Sequence, residues 1–506
     1  MTRRLPLRGA ARAAFQERSA LLLSTLRPDS AVPGTARDVT SELLRTLHDA
    51  SVNDIWLALA VLSARFPDTA TTIDVLRAVR LNGPGAILRA ATDQMDSREP
   101  ARVVVAVGET VVDVYQTARM PRSTGIQRVA RQLARSWAAR QPVRLVGWRD
   151  DQTALVDLTD DEREHLLTDG LTPAGPPPGY RPTVVVPYRG MYLLPELAVG
   201  PTLTPRLQAM ASFSSCRTGA VGFDCVPLTS AETTSPGTPS HFAGNLAAVG
   251  RMDRLAAISA SAAGEYRGWR TMTGAAGLTG PDITAVLLTT EATAASEAAL
   301  ARARARLLIA DLPMVLVVGT HEPRKNHDAV LHAAELLWRR GLRFNLVFIG
   351  SDGWHSESFR TSLGALQRTG RPVESIDGVD EDMLWAAYQL AYFTVFPSLN
   401  EGYGLPVAES LAVGTPVVTS GFGSMAEIAA HGGALLVDPR KDGAIADAMA
   451  RLLEDADLHA RLVAEARARP TRTWAEYADD VWTCLTAVDD ATADQPASDA
   501  PAIPQV

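Results

Sequence analysis

The spacing of apolar residues along this chain changes near residue 100. Between about 36 and 95 the apolar positions recur at helical intervals, as in Ser41-Glu-Leu-Leu-Arg-Thr-Leu and Asp54-Ile-Trp-Leu-Ala-Leu-Ala-Val-Leu, and Thr71 to Val79 continues the pattern. No strand-like alternation interrupts it, so residues 1–98 read as a helical module. From residue 101 short β-branched runs alternate with helical stretches. Val103 to Val107, Thr110 to Val114, Arg144 to Trp148, Thr183-Val-Val-Val-Pro, Ala220-Val-Gly-Phe and Leu255-Ala-Ala-Ile-Ser are strand candidates, and a helix opens near Gly125 and runs through Trp137. The segment Glu291 to Ile309 leads into a second such unit. There Met314-Val-Leu-Val-Val-Gly319, Asn345-Leu-Val-Phe-Ile-Gly350, Tyr392-Phe-Thr-Val-Phe and Thr415-Pro-Val-Val-Thr read as strands, and Asp328 to Gly341 as a helix closed by its glycine. Strand–helix alternation predicts α/β units with parallel sheets covered on both faces. The predicted layout is a helical module (1–98), two doubly wound units (99–300 and 301–488) and a disordered tail (489–506) rich in Ala, Asp and Pro. Thr172-Pro-Ala-Gly-Pro-Pro-Pro-Gly reads as an exposed turn.

Length and composition narrow the function class. A chain of 506 residues exceeds one hydrophobic core. Its net charge of −8 gives no overall pull toward nucleic acid, though it leaves room for a local basic pocket. Cys216, Cys225 and Cys484 form neither a disulfide framework nor a zinc pattern, which suits reduced thiols in the cytoplasm. No run approaches the roughly 18 apolar residues of a membrane span, and no apolar run follows Arg3, Arg4, Arg8 and Arg12, so no signal peptide is expected. Leu7 to Leu26 has two readings. It could be a basic amphipathic helix touching anionic lipid at the inner face of the membrane, or a tail or helix packed on its own domain. The weak, Ala-rich apolar face favours the second.

The chemistry concentrates in Pro397-Ser-Leu-Asn-Glu401-Gly-Tyr-Gly-Leu-Pro406-Val-Ala-Glu409-Ser-Leu-Ala-Val-Gly-Thr-Pro416. An apolar strand ends, a glycine loop follows, and Pro406 suits the first turn of a helix. Gly402 and Gly404 let backbone N–H groups approach a ligand, and the helix N-terminus favours an anion, so the segment suits a diphosphate. Glu401 and Glu409 can each accept two hydroxyl hydrogen bonds, as from a sugar and a ribose.

This string resembles the Glu-x7-Glu signature of family 4 glycosyltransferases, which have the GT-B fold: two Rossmann-like domains facing a cleft. Other matches follow in order. Gly319-Thr-His-Glu-Pro-Arg324-Lys325-Asn326 is similar to the phosphate loop of the mannosyltransferase-like branch. Gly350-Ser-Asp-Gly-Trp354 and Ile376-Asp-Gly-Val-Asp-Glu-Asp-Met-Leu match that branch too, and Ser123-Thr-Gly125-Ile-Gln-Arg-Val resembles the glycine loop of the N-terminal domain. The resemblance spans roughly residues 110 to 485.

It implies a hexosyltransferase that retains anomeric configuration and moves sugar from a nucleoside diphosphate sugar, leaning toward GDP-mannose, to a glycan or lipid-linked hydroxyl. By the resemblance, Arg324 and Lys325 contact the diphosphate in place of a metal, so no cofactor is expected. Glu401 with Gly402, Tyr403, Gly404 and Leu405 holds the sugar, Glu409 the ribose, and the backbone near Val379 the base. Gly319 and Thr320 line the phosphate loop, and Gly125 closes from the opposite domain. Two departures stand out. Thr320 occupies a position where many members carry Arg, leaving Arg324 as the second cation. In Gly222-Phe223-Asp224, Phe223 replaces a histidine that commonly contacts the sugar, and Asp224 is left either as an acceptor-side carboxylate or as a turn cap. His321 reads as a phosphate ligand or a solvated loop residue, His355 and His431 as surface residues, and Trp474 as an anchor for a last helix crossing to the N-terminal domain. A non-catalytic sugar-nucleotide-binding protein of the same fold is the main alternative. An epimerase lacks a recognisable carboxylate–histidine set, and a dehydrogenase lacks Gly-x-Gly-x-x-Gly after its first strand.

Overall fold

A computed structural model describes residues 7, 9–96, 101–120, 124–168, 173, 175 and 180–487. Ser123, most of the proline-rich turn from Thr172 and the tail from 489 lie outside the described residues, as do Arg3, Arg4 and Arg8.

Five helices come first: Gly9–Leu26, Ala36–Thr46, Val52–Ser63, Thr69–Asn82 and Gly85–Gln94. Ser51 starts the third by accepting from the Asp54 N–H while the Asp54 carboxylate accepts from the Ser51 N–H, a reciprocal cap. Trp56 and its neighbours from Ile55 to Leu62 are buried all round, which marks that helix as the centre of the module. Gly9–Leu26 packs through Ala11, Phe15, Leu22 and Leu23. Arg18 is buried in the same face and donates to the carbonyls of Leu62 and Ala101. The segment is therefore a helix packed on its own domain, the second of its two readings. No helix among the described residues is long and apolar enough to cross a membrane.

The first sheet contains β1 (Arg102–Val107), β2 (Thr110–Asp113), β3 (Val143–Trp148), β4 (Leu155–Asp157), β5 (Thr183–Tyr188), β6 (Met191–Leu194), β7 (Arg217–Gly222), β8 (Arg254–Ala257) and β9 (Asp282–Ala285). Its order is β1-β5-β4-β3-β2-β6-β7-β8-β9. All pairings are parallel except those of β4, which runs against both β3 and β5. The reading of a parallel sheet thus needs one correction, a three-residue strand too short to carry a periodic signal.

The second sheet contains β10 (Met314–Val318), β11 (Asn345–Ile349), β12 (Val373–Ile376), β13 (Phe393–Phe396), β14 (Val417–Ser420) and β15 (Ala434–Val437), in the order β12-β11-β10-β13-β14-β15. This is the doubly wound order in which the chain leaves in opposite directions on either side of the first strand. Ligand crevices form at the carboxyl ends of the strands where that reversal occurs. Here the place lies between β10 and β13, and the loops leaving them are the two that carry Arg324 and Lys325, and Glu401 to Gly404. In the first sheet the reversal falls beside β2, whose following loop leads into the helix Gly125–Arg140.

One buried core runs from the five N-terminal helices through the first sheet and takes in Trp474, Tyr477, Val481 and Leu485 from the last helix, Trp474–Thr486. Trp137 donates its indole N–H to the Ala478 carbonyl at 3.0 Å. The last helix therefore crosses back to the N-terminal domain, with Trp474 among its anchors.

Candidate functional site

Two loops build the centre of the site. After β10 the chain turns through Pro323–Lys325 into the helix His327–Arg339, with Asn326 left-handed at φ +61 between them. After β13 it passes through Glu401 into the helix Leu405–Ala412, and Gly404 precedes that helix at φ +113, where a side chain would be strained. The two loops clamp one carboxylate. Glu401 receives Lys325 Nζ at 2.7 Å on Oε1, Arg324 Nη1 at 2.7 Å on Oε2 and the Ser398 hydroxyl at 2.6 Å. Burial alone would raise the Glu401 carboxyl, but the charges of Lys325 and Arg324 outweigh it and hold the group down to about 2. Arg324 also pairs with Glu322 at 2.6 Å and donates to the Asn400 carbonyl at 2.8 Å. Burial opposes the charge on Arg324, but Glu401 and Glu322 keep it firmly protonated.

Glu409 lies one turn inside the helix and is 5% exposed. Tyr388 donates its hydroxyl to Oε2 at 2.8 Å, and Arg128 Nη1 meets Oε1 at 2.6 Å. Arg128 comes from the other domain, on the first turn of the helix Gly125–Arg140. Thr124 caps that helix reciprocally with Gln127. A β-carbon on Gly125 would lie 3.3 Å from the Leu405 side chain, so the two glycine loops meet across the cleft.

Other contacts join the same faces. A β-carbon on Gly402 would stand 2.5 Å from the Phe223 carbonyl oxygen and 2.6 Å from Asp224 Oδ2, so only glycine fits there. Ser259 donates to the Gly402 carbonyl at 2.7 Å, Tyr403 to that of Leu288 at 2.8 Å, and Asn400 to the Thr229 hydroxyl at 3.1 Å. Glu427 accepts the N–H groups of Ala260 and Ser261 at the start of Ala260–Ala275, where a carboxylate is favoured. The Trp354 indole donates to the Thr233 carbonyl.

Asp224 takes the geometry of its turn-cap reading. Its Oδ1 accepts the Val226 N–H at 3.1 Å, as a turn cap does, while Oδ2 faces Gly402. Burial pushes its carboxyl up to about 6, against the pull of Arg324.

His321 departs from both of its readings. It is 3% exposed and lies behind the loop, with Nδ1 at 3.0 Å from His327 Nδ1 and Nε2 at 2.8 Å from the Ser375 hydroxyl. Its ring stacks on Phe359 at 4.2 Å. Burial lowers the pKa of both histidines, and His327 is depressed further by His321 and Lys325. They support the loop as neutral rings. His355 and His431 are exposed, as expected.

Gly319 ends β10 at φ +147, Thr320 packs its methyl toward Gly353, and Val379 sits half-buried before the helix Glu381–Leu390. Ser398, Glu322, Tyr388 and Arg128 escaped the sequence reading. Ser398 and Arg128 stand inside quoted motifs, three residues from Glu401 and Gly125. Tyr388 carries no local signal, since the helix Glu381–Leu390 brings it to Glu409 by packing on Leu405–Ala412.

Comparison with known proteins bears on the family and the fold. Residues 301–469 match the family model described as glycosyl transferases group 1. The chain is 28% identical over 250 residues to the serotype-specific mannosyltransferase WbdA of Escherichia coli, covering 47% of this chain and 29% of that one. It is 33% identical over 141 residues to the O-antigen chain mannosyltransferase B of Escherichia coli, covering 28% and 36%. With the D-inositol 3-phosphate glycosyltransferase of Acidothermus cellulolyticus it shares 37% over 181 residues, covering 34% and 40%. The chain thus spans less than half the length of each of these relatives. In fold it is similar to Anabaena HepE, solved with UDP and glucose, at a TM-score of 0.54 and 13% identity over 76% of this chain and 100% of that one. It is also similar to WaaG, a glycosyltransferase involved in lipopolysaccharide biosynthesis, at 0.50 and 15% over 75% and 100%. Residues 301–469 thus match the glycosyl transferases group 1 family model and are similar in sequence to mannosyltransferases, on a fold similar to solved GT-B glycosyltransferases.

Proposed function

We propose that this protein is a retaining, metal-independent hexosyltransferase of family 4 that takes a nucleoside diphosphate sugar, GDP-mannose before others, and glycosylates a hydroxyl of a glycan or lipid-linked acceptor. The observation that carries the reading is the Lys325–Glu401–Arg324 clamp beside Glu409, set where the second sheet reverses direction. In this reading the donor's diphosphate draws on Arg324 and Lys325, Glu401 turns to the sugar hydroxyls, and Glu409 takes the ribose. Gly319, Thr320, the loop from Gly402 to Leu405 and Gly125 line the phosphates, and Val379 the base. The bond from the anomeric carbon to the phosphate oxygen breaks while the acceptor oxygen bonds to the same face of that carbon. The acceptor's proton passes to the leaving phosphate oxygen. The two cations stabilise the charge gathering on the nucleoside diphosphate, which is what a preorganised electrostatic site supplies. Asp224 in its carboxylate form orients the acceptor hydroxyl, and cleft closure keeps water out. The donor preference is supported by the mannosyltransferase names of two relatives. A cytoplasmic protein at the inner membrane face suits a lipid-linked acceptor.

The test is nucleoside diphosphate release from a panel of GDP- and UDP-sugars, with and without a chelator, followed by NMR of the product anomer. Release from one donor that survives chelation, with configuration kept, is expected. An inverted product or chelator-sensitive turnover would overturn the mechanism. Nucleotide binding with no turnover on any acceptor would favour the non-catalytic reading, for which Phe223 in the usual histidine position speaks.

A further inference from the structure

The carboxylate assigned to the ribose is already engaged on both oxygens. Tyr388 holds Oε2 from within the same domain. Arg128 holds Oε1 from the opposite domain. Each oxygen keeps a second lone pair, but a ribose diol that pairs with Glu409 from the cleft meets the oxygen facing the opposite domain, which is the one Arg128 covers. The same guanidinium reaches a second acid. Its Nη2 lies 3.3 Å from Glu381, whose side chain is 68% exposed at the rim, whereas that of Glu409 is 6% exposed.

We propose that Arg128 is a clasp that competes with the donor's ribose for Glu409 and hands over to Glu381 when the nucleotide enters. The inference rests on the reading of Glu409 as the ribose carboxylate. Its physical basis is a difference in surroundings. The Arg128–Glu409 bond is short and shielded and is one of several contacts between the domains, while Glu381 offers the arginine a partner in water once it is displaced. Release leaves the arginine paired with Glu381, and the ribose hydroxyls must take its place on the buried Glu409 carboxylate, whose charge would be costly to leave without partners. Nucleotide entry and loss of the interdomain bond are then linked. A nucleotide that must displace the clasp binds more weakly than its own contacts would allow, by the fraction of molecules in which Glu409 is free. The cleft contacts at Gly125, Gly402 and Ser259 persist independently of Arg128, so closure as such does not depend on the clasp.

The test is calorimetric titration of GDP and UDP into the full chain and its variants. Arg128→Ala should bind the preferred nucleotide about tenfold more tightly, since the competitor is gone. Glu381→Gln should bind it more weakly, since the displaced arginine loses its second partner. A purely structural role for Arg128 predicts neither change, and unchanged or weaker binding in Arg128→Ala overturns the clasp. Should Arg128→Ala melt early, Arg128→Gln keeps the bulk without the charge and should show the same tightening. Glu409→Gln separates this inference from the reading beneath it. If wild type and Glu409→Gln bind alike, or wild type binds neither nucleotide, the ribose assignment falls and the clasp with it. If Glu409→Gln loses binding and Arg128→Ala does not gain it, the clasp alone falls.

Discussion

Single side chains at this site work against their own burial. Glu401 is buried, yet two cations keep it ionised at about 2, below its ordinary 4.5. A depressed carboxyl contributes stability that is present above 4.5 and lost as pH falls toward 2. Melting temperatures followed from pH 6 to pH 2 should therefore drop more steeply for the wild type than for Glu401→Gln. At neutral pH the same variant should be less stable by about 3 kcal/mol, because Arg324 and Lys325 lose their shared partner. Equal acid profiles would mean the clamp is weaker than its 2.7 Å distances indicate. Lys325→Ala should lower turnover about a hundredfold or more, as loss of a preorganised charge does, with nucleotide release as the readout. Asp224 has the opposite sign. Its folded value of about 6 lies above 3.8, so its contribution is present below 3.8 and lost as pH rises through 6. Turnover should climb through pH 6 as the carboxylate forms. Asp224→Asn should erase that limb while raising the melting temperature at pH 8. An unchanged limb would assign the titration to another group. These residue identities were legible in sequence because they stand in contiguous motifs. Their partnerships were not. The seating of Arg324 and Lys325 on Glu401 joins loops 76 positions apart, and nothing in local spacing encodes it.

At the scale of elements, legibility followed burial and length. The central strands β10, β11 and β13 are mostly apolar and, Val318 apart, buried, and they read directly as strands. β4 has three residues, and the edge strands β12 and β15 leave most positions partly exposed, so neither period nor composition announces them. β6 and β9 were missed as well, since Met191-Tyr-Leu-Leu has no β-branched residue and β9 buries only Ile283. The glycine loop before Leu405–Ala412 was legible as a ligand-facing turn. What it touches was not, because Gly402 is made obligatory by Phe223 and Asp224, some 180 positions earlier. Gly402→Ala forces a methyl to within 2.5 Å of the Phe223 carbonyl oxygen, so the loop or the domain interface must shift. A cost of about 1–3 kcal/mol is expected for such overpacking, together with at least a tenfold fall in turnover. Gly443→Ala is the control. Its β-carbon meets nothing within 4 Å on a helix, so it should leave turnover alone and hold or raise stability slightly. Indistinguishable behaviour of the two variants would remove the steric argument for Gly402.

Across the whole molecule, the helical module and the first sheet behave as one folding unit. The change of hydrophobic period near residue 100 marks a change of element type, and the core passes straight through it. Trp56 of the module packs at 5.5 Å from Phe66, and Phe66 at 5.8 Å from Trp148 at the end of β3. The Phe66 N–H donates to the Thr153 carbonyl at 2.8 Å, and Arg18 reaches across to the Ala101 carbonyl beside β1. Each large aromatic in that row stands to lose a few kcal/mol when its neighbour is removed. A chain shortened to begin at residue 101 would expose the face of β1 and β5 that the helix Val52–Ser63 covers. That loss should exceed the modest net stability of a domain. The shortened chain should therefore be recovered aggregated or without a cooperative melt. Its C-terminal domain, which has a core of its own from Val315 to Leu462, should still give protease-resistant fragments. A shortened chain that melts cooperatively near the wild-type temperature and still binds nucleotide would make the module an accessory. Protease resistance confined to the C-terminal domain would make it part of the N-terminal fold, and with it part of the scaffold that brings Arg128 to the cleft.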